Sequence, residues 1–297
     1  MAQASFLLQK AKKIIDPLDA ELLLSHVTQK SREFFIAHPE YPVHFFSNLK
    51  FSSLVKKRKK NIPLAYLTGH KEFFGLDFLV NKQTLVPRPE TEVLVQSVLN
   101  EIEELKIKNQ ELKVSIIDVG TGSGCIPISI LKTLQKNTVS LPVQTFAIDI
   151  SKQALKVAKK NAQKNKVGIT FFHGNLLEPI IKNPDFARPG DQPESWPIII
   201  TANLPYLTQE QFDTEASIQH EPVSALVAED HGLALYKKLL EQIHTFDLQN
   251  TAICLFLEID PSQSSKIRTC INTLFPQAQV HIMKDLSGND RVVKIKL

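Results

Sequence analysis

The 297-residue sequence contains no run of about 18 apolar residues, so no membrane-spanning helix is expected. Cysteine is scarce, and Cys125, Cys254 and Cys270 are odd in number and widely spaced. That pattern suits neither a disulfide framework nor a zinc cluster; it implies a reducing, cytoplasmic setting and no metal site. The opening "MAQASFLLQKAKKIID" brings in Lys10, Lys12 and Lys13 after only a few apolar residues, which is not a signal-peptide pattern. A strong charge of one sign is also lacking, and a net +4 is too small to argue for nucleic acid. Internal repeats and low-complexity segments are absent. With 43% hydrophobic and 22% charged residues, the composition is that of a globular protein with one large or two unequal domains.

What charge there is lies unevenly. Residues 1–62 carry 11 Lys/Arg against 5 Asp/Glu, while residues 63–297 carry 24 against 26. Much of the excess is "KKRKK", Lys56 to Lys60, which reads either as the solvated end of a helix or as a docking surface for an acidic partner.

Residues 1–60 read as a small helical domain. Leu7, Ala11, Ile14, Ile15 and Leu18 follow a 3.6 period, Asp16-Pro17 ends that helix and starts another, and "HPEYP" precedes a third helix ending in the lysines. Residues 61–88 change character: Phe73-Phe74-Gly75-Leu76 and Phe78-Leu79-Val80 suggest a β-hairpin connector closed by Pro87 and Pro89. From residue 89 to 297 strands and helices alternate. The strands are "VSIIDVG", "VQTFAID", "GITFF", "WPIIITA" and "TAICLFLEI", then "AQVHIMKD" and "RVVKIKL", which can pair antiparallel at one edge. Such alternation predicts an α/β, Rossmann-like, mostly parallel sheet covered on both faces. Residues 179–196, rich in Pro, Gly and acids, read as a surface loop.

Two segments carry chemistry. "IIDVGTGSGC" follows the first sheet strand and opens a helix, with Gly120, Gly122 and Gly124 permitting tight turns and close approach to a ligand. Cys125 stands where the dinucleotide fingerprint needs a third glycine, and no Gly-Lys-Ser/Thr follows for a P-loop. Asp118 ends the same strand, and Asp149 ends the next, where doubly wound sheets bind ribose hydroxyls. Asp149 can equally belong to the cap of the "SKQAL" helix. An adenosine-containing cofactor without a pyrophosphate, S-adenosylmethionine, fits this set.

The second segment is "ITANLPYLT". Asn203 offers an amide, Leu204 a backbone carbonyl, Pro205 restricts Leu204 to extended conformations, and Tyr206 adds a flat ring with a polar tip. Two acceptors on one stiff turn can hold both hydrogens of a planar –NH₂ group beside a methyl donor. Asn-x-Pro is also ordinary turn punctuation.

These segments, together with "PLAYLTGHKEFFGLDFLVNKQTLVPRPETEVLV" (63–95), "NLLEP", "EPVSALVAEDHGLALYKKL", "LEID" and "LSGNDRVVKIKL", resemble the PrmC/HemK family of protein-(glutamine-N5) methyltransferases over about residues 60–297. The resemblance implies a class I S-adenosylmethionine-dependent methyltransferase domain at 89–297, preceded by the helical domain and the hairpin connector. The implied reaction is methylation of the glutamine in the Gly-Gly-Gln motif of class-1 peptide chain release factors, with S-adenosylhomocysteine as product. It implies that Gly120, Thr121, Gly122, Ser123, Gly124, Asp149, Asn175, Leu176 and Asn203 hold the cofactor. Asn203, Leu204, Pro205 and Tyr206 would hold the amide, and Arg88 and Glu90 would line or brace the entrance; a domain-tethering ion pair is the bland alternative for the last two. The helical domain would recognise the release factor, and a monomer that does not contact nucleic acid directly is expected.

Three positions depart from the family pattern. Leu204 replaces a proline, at some expected cost in rigidity; Asn175 replaces an aspartate; Asp260 stands where glycine is usual, with no reading from sequence. "NLPY" is also the form found in rRNA adenine-N6 dimethyltransferases, so adenine in RNA is the alternative substrate. Those enzymes carry their helical domain after the sheet, whereas about 110 residues precede the first sheet strand here.

Overall fold

The computed structural model describes residues 2–109, 113–137, 142–183, 196–245 and 252–297. The chain divides into two compact units, Met1–His70 with Glu215–His220, and Lys71–Thr214 with Glu221–Leu297. In this division residues 61–70 group with the smaller unit, and the hairpin, apart from His70, with the larger.

In the smaller unit β1 (Ala2–Gln3) pairs antiparallel with β2 (Pro42–Val43), around α1 (Ala4–Ala11), α2 (Pro17–Thr28), α3 (Arg32–Ala37), α4 (Phe45–Arg58) and α5 (Leu64–Thr68). Asp16 starts α2: its carboxylate accepts the N–H groups of Leu18 at 2.8 Å and Asp19 at 3.3 Å, with Pro17 in the first turn. Because α1 stops at Ala11, the apolar stripe read through Leu18 is interrupted, and Ile14 and Leu18 are exposed. Neither α3, capped by the Ser31 hydroxyl, nor α5 was legible as a helix; both are short, and short helices depend on packing more than on periodicity. Leu23, Leu24, Phe35 and Phe51 centre the core of this unit. At the end of α4, Lys56, Lys57, Lys59 and Lys60 are exposed, while Arg58 is tied to Asp19 at 2.5 Å.

The larger unit opens with the hairpin β3 (His70–Phe73) and β4 (Leu76–Leu79). Its two turn residues, Phe74 and Gly75, have φ of +52° and +69°, and the Phe74 N–H donates to Glu92 at 2.9 Å. Next come a 3₁₀ turn at Pro89–Thr91, α6 (Glu92–Lys108), β5 (Val114–Val119), α7 (Cys125–Lys136), β6 (Val143–Asp149), α8 (Lys152–Asn165) and β7 (Thr170–His173). The chain goes on through α9 (Glu178–Ile181), β8 (Ile198–Ala202), α10 (Gln209–Thr214), the single turn α11 (Glu229–Gly232), α12 (Ala234–Thr245) and β9 (Ile253–Glu258). It closes with α13 (Ser264–Leu274), β10 (Gln279–Lys284) and β11 (Asp290–Lys296). Of the loop expected at 179–196, the start belongs to α9 and residues 184–195 lie outside the described residues.

The sheet order is β10-β11-β9-β8-β5-β6-β7; β5 to β9 run parallel, and β11 pairs antiparallel with both β9 and β10. Every residue of β5, β8 and β9 is buried, as a sheet covered on both faces requires. Alternate side chains feed two cores. Val114 and Ile116 join the cluster made with Leu94, Val98, Ile128 and Phe78, while Ile117 and Val119 join the one made with Leu239, Leu240, Ile267 and Ile271. Parallel running brings the ends of β5, β6, β8 and β9 to one edge, and the order reverses between β5 and β8, the place where open α/β sheets bind ligands. Among the described residues no helix is long and apolar enough to cross a membrane.

Candidate active site

A cavity of about 400 Å³ opens at that edge. One wall is the loop after β5. Gly120, Gly122 and Gly124 have φ of +75°, +55° and +80°, a region costly for other residues, which explains the spacing of the three glycines. The N–H groups of Gly120 and Thr121 both donate to the Ile148 carbonyl at 2.9 Å, tying the loop to the end of β6.

Asp149 completes this wall. One carboxylate oxygen accepts the Gly122 N–H at 2.8 Å and the other accepts the Ser151 N–H at 2.8 Å. Asp149 thus braces the approach to α8 and the glycine loop, and it also lines the cavity. The cap of α8 itself is Ser151, whose hydroxyl accepts the Ala154 N–H at 3.1 Å. Burial raises the Asp149 pKa, and the two backbone hydrogen bonds oppose that rise. Asp118 is fully buried, accepts the Thr201 hydroxyl at 2.6 Å, and is pushed up to about 6 by burial.

The facing wall is the turn after β8. Ala202 pairs with Val119 on one side and Leu257 on the other, so Asn203 leaves the sheet between the glycine loop and Glu258. The approach is close: a Cβ on Gly120 would lie 2.9 Å from Leu204 Cδ2. Asn203 Nδ2 donates to Thr91 Oγ1 at 3.2 Å. The Leu204 N–H donates to the Tyr236 hydroxyl at 3.1 Å, and that hydroxyl donates to the Glu258 carbonyl. Proline at 204 would have no N–H to offer, so the expected loss of rigidity is offset by a tether to α12 and β9.

Further along, Gln263 Nε2 donates to the carbonyls of Tyr206 at 3.0 Å and His231 at 2.9 Å. Gln263 is held in turn by Asp260, with which it forms a capping box at the start of the helix leading to α13. Asp260 has a φ of −69°, so this site needs no glycine, and a capping side chain explains the departure noted in the sequence. Gly232, at φ +80°, packs against the Tyr206 carbonyl so closely that any Cβ would collide with it.

The structure brings most of the expected residues together. Gly120 to Ser123, Asp149, Asn175, Leu176 and Asn203 to Pro205 line the cavity, and Arg88 does too. Three do not. Gly124 starts α7 against Ile128 and Ala158; Glu90 is exposed; Tyr206 turns its hydroxyl toward Glu258. Arg88 pairs with the buried Glu221, which also accepts the Val86 N–H at 2.8 Å. Thr91, Tyr236, Glu258 and Gln263 were missed as site residues. For Gln263 the Asp-Pro-Ser-Gln spacing of a capping box was a readable signal; Thr91, Tyr236 and Glu258 lie in segments that carry the family resemblance, but nothing in those segments marked them individually.

This donor set fits an adenosine-bearing methyl donor: a backbone cradle of three glycines at positive φ, a strand-end carboxylate, and no phosphate-binding lysine on the loop.

Residues 1–69 match the family model of the PrmC N-terminal domain, and residues 93–185 match that of ribosomal protein L11 methyltransferase. The catalytic domain of hMettl16, solved in complex with MAT2A 3'UTR hairpin 1, shares the fold at a TM-score of 0.50 and 14% identity, covering 84% of this chain and 79% of that one. The release factor glutamine methyltransferase of Enterococcus faecalis is 39% identical over 232 residues, 77% of this chain and 74% of that protein. That of Bacillus anthracis is 32% identical over 292 residues, 98% of this chain and 95% of its own. With a class I methyltransferase sheet, a matching N-terminal domain and likeness along almost its whole length, the protein belongs to the release factor glutamine methyltransferase family.

Proposed function

We propose that this protein transfers a methyl group from S-adenosylmethionine to the side-chain amide nitrogen of the glutamine in the Gly-Gly-Gln motif of class-1 peptide chain release factors. The observation that carries the reading is the juxtaposition of the two walls, with Leu204 against Gly120 and the Asn203 side chain lining the cavity the glycine loop bounds. Gly120 to Ser123, Asp149, Asn175 and Leu176 would hold the cofactor, which when bound supplies an electrophilic methyl carbon. An amide nitrogen is a poor nucleophile because its lone pair is delocalised, so the protein's task is orientation and support of developing charge. Asn203 Oδ1 and the Leu204 carbonyl accept the two amide hydrogens and leave the nitrogen's open face toward the donor. Methylation acidifies that nitrogen, and water or the Asn203 oxygen carries the proton away.

Recognition of the release factor is assigned to the N-terminal unit, where α4 presents Phe45, Phe46 and Leu49 at exposures of 65%, 82% and 53%, beyond the exposed lysines at its other end. A Phe46→Ser, Lys56→Glu variant should raise KM for the intact release factor while leaving kcat in place; an unchanged KM rejects the assignment. Adenine in RNA has less support, since the relatives that span nearly the whole chain are named for glutamine methylation. Incubation with radiolabelled S-adenosylmethionine, release factors and rRNA separates the two. Label is expected on the Gly-Gly-Gln glutamine, and label in RNA alone would overturn the reading.

A further inference from the structure

Glu258 ends β9 immediately behind the acceptor turn. It is fully buried, and neither carboxylate oxygen has a hydrogen bond of full geometry among the described residues, although the Thr91 and Tyr206 hydroxyls lie beside it. A buried carboxyl is costly unless something uses it. The groups that face it and favour its ionised form are the hydroxyls of Thr91 and Tyr206 and the guanidinium of Arg291. Thr91 is itself buried, and its oxygen already accepts the Asn203 side-chain N–H.

We propose that Glu258 is a positioning residue for methyl transfer: acting through the Thr91 hydroxyl, its carboxylate fixes which end of the Asn203 amide is turned to the substrate. The inference rests on the reading that Asn203 holds the glutamine amide. A side-chain amide presents an oxygen in one orientation and an NH₂ in the other, and only the oxygen can accept a substrate hydrogen. Thr91 has a single hydroxyl proton. A carboxylate carries none, so opposite Glu258 that proton is drawn to the carboxylate, and the Thr91 oxygen is left as an acceptor. Asn203 must then give Thr91 its NH₂ and keep Oδ1 for the cavity. With a neutral group at 258 that polarity is no longer enforced: Thr91 can donate to Asn203 Oδ1 instead, which turns the NH₂ group against the substrate's own NH₂.

Burial pushes the Glu258 carboxyl up to about 7. Glu90 opposes its ionisation and Arg291 favours it. Tyr206, Tyr236 and Cys125 also lie in its field, but their own pKa values are driven upward by burial, so they stay neutral between pH 5 and 8. Turnover should therefore lose activity as pH falls through about 7.

The decisive variants are Glu258→Gln, Thr91→Val, Thr91→Ser and Asn203→Ala in the full-length enzyme, assayed on intact release factor. Calorimetric binding of S-adenosylmethionine and thermal melts are measured alongside. Glu258→Gln and Thr91→Val should lower kcat by about tenfold, less than loss of a direct contact, with cofactor affinity unchanged. Thr91→Ser, which keeps the hydroxyl, should restore kcat to within about twofold of wild type, and Glu258→Gln should abolish the acid limb near pH 7. If Glu258→Gln does not fold, the Thr91→Val and Thr91→Ser pair decides. Wild-type kcat in Thr91→Val beside a crippled Asn203→Ala overturns this inference and leaves the site reading standing. Full activity in Asn203→Ala overturns the site reading itself.

Discussion

The glycine loop and the acceptor turn face each other across one cavity, yet different forces hold them. The loop is shaped by its own backbone: three glycines at positive φ, two N–H groups on the Ile148 carbonyl, and one carboxylate 27 residues on. The turn has a proline and little else of its own. Thr91, Tyr236, Gln263 and Gly232, from four other segments, hold its side chain, its N–H and its carbonyl. The glycine-loop wall, to which cofactor binding is proposed, is thus locally encoded, while the wall proposed to orient the reacting amide is braced from all sides. Precise orientation needs supports that do not move with the turn.

Perturbing the braces and the walls separately breaks or sharpens this contrast. The largest effect belongs to Gly232→Ala, whose methyl would collide with the Tyr206 carbonyl at a φ that already disfavours alanine. Methylation should fall below detection with a much lowered melting temperature; a near-normal melt and turnover would show that the turn is less tightly braced. Next come opposite failures of the two walls. Asn203→Ala should cost about 10²–10³ in kcat with cofactor affinity within a few-fold, whereas Asp149→Ala should weaken cofactor binding by roughly 10–100-fold, as seen by calorimetry. Equal effects on both parameters in both variants would erase the distinction.

A smaller effect follows from the buried acids behind the turn. A carboxyl with a raised folded-state pKa holds its proton more tightly when folded, so its stabilising effect is complete below its ordinary value and lost as pH rises through the folded value. For Glu258, raised from 4.5 to about 7, the loss between pH 5 and 8 is on the order of 3 kcal/mol. Asp118, raised to about 6, acts in the same direction. The wild-type melting temperature should fall across that range, and Glu258→Gln should flatten the fall; an equally steep fall in that variant would remove Glu258 as its source.

Smallest is Tyr236→Phe, which strips the bridge between the Leu204 N–H and the Glu258 carbonyl and should cost about 1–2 kcal/mol by denaturant titration. In the Tyr236→Phe background, Leu204→Pro removes the N–H that the bridge served. The two changes together should cost less than their sum, and strict additivity would mean that the bridge does not hold the turn.

The legibility of the sequence follows the same divide. β5 and its glycine loop could be read directly because hydrophobic runs, punctuating glycines and strand-end acids are local signals. Asn203 and Leu204 could be placed at the cavity from their chemistry and their position after a strand. The direction of Tyr206, the pairing of Arg88 with Glu221, and the placement of Thr91 and Glu258 behind the turn were not legible, since each depends on residues far away in the chain. Glu258 in particular reads as the end of an apolar strand within "LEID", and its burial behind the turn is what singles it out.

By itself the sequence determined the order of strands and helices and the glycine loop at the end of the first sheet strand, which are matters of periodicity, backbone freedom and residue type carried by neighbours in the chain. The glutamine chemistry came instead through resemblance to a known family, carried above all by the connector motif. Tertiary structure alone decided which side chains brace the acceptor turn and where the compact units divide. A hydrogen bond such as Asn203 to Thr91 spans 112 positions, and only the packing of α6 and its opening turn against the sheet makes such partners neighbours.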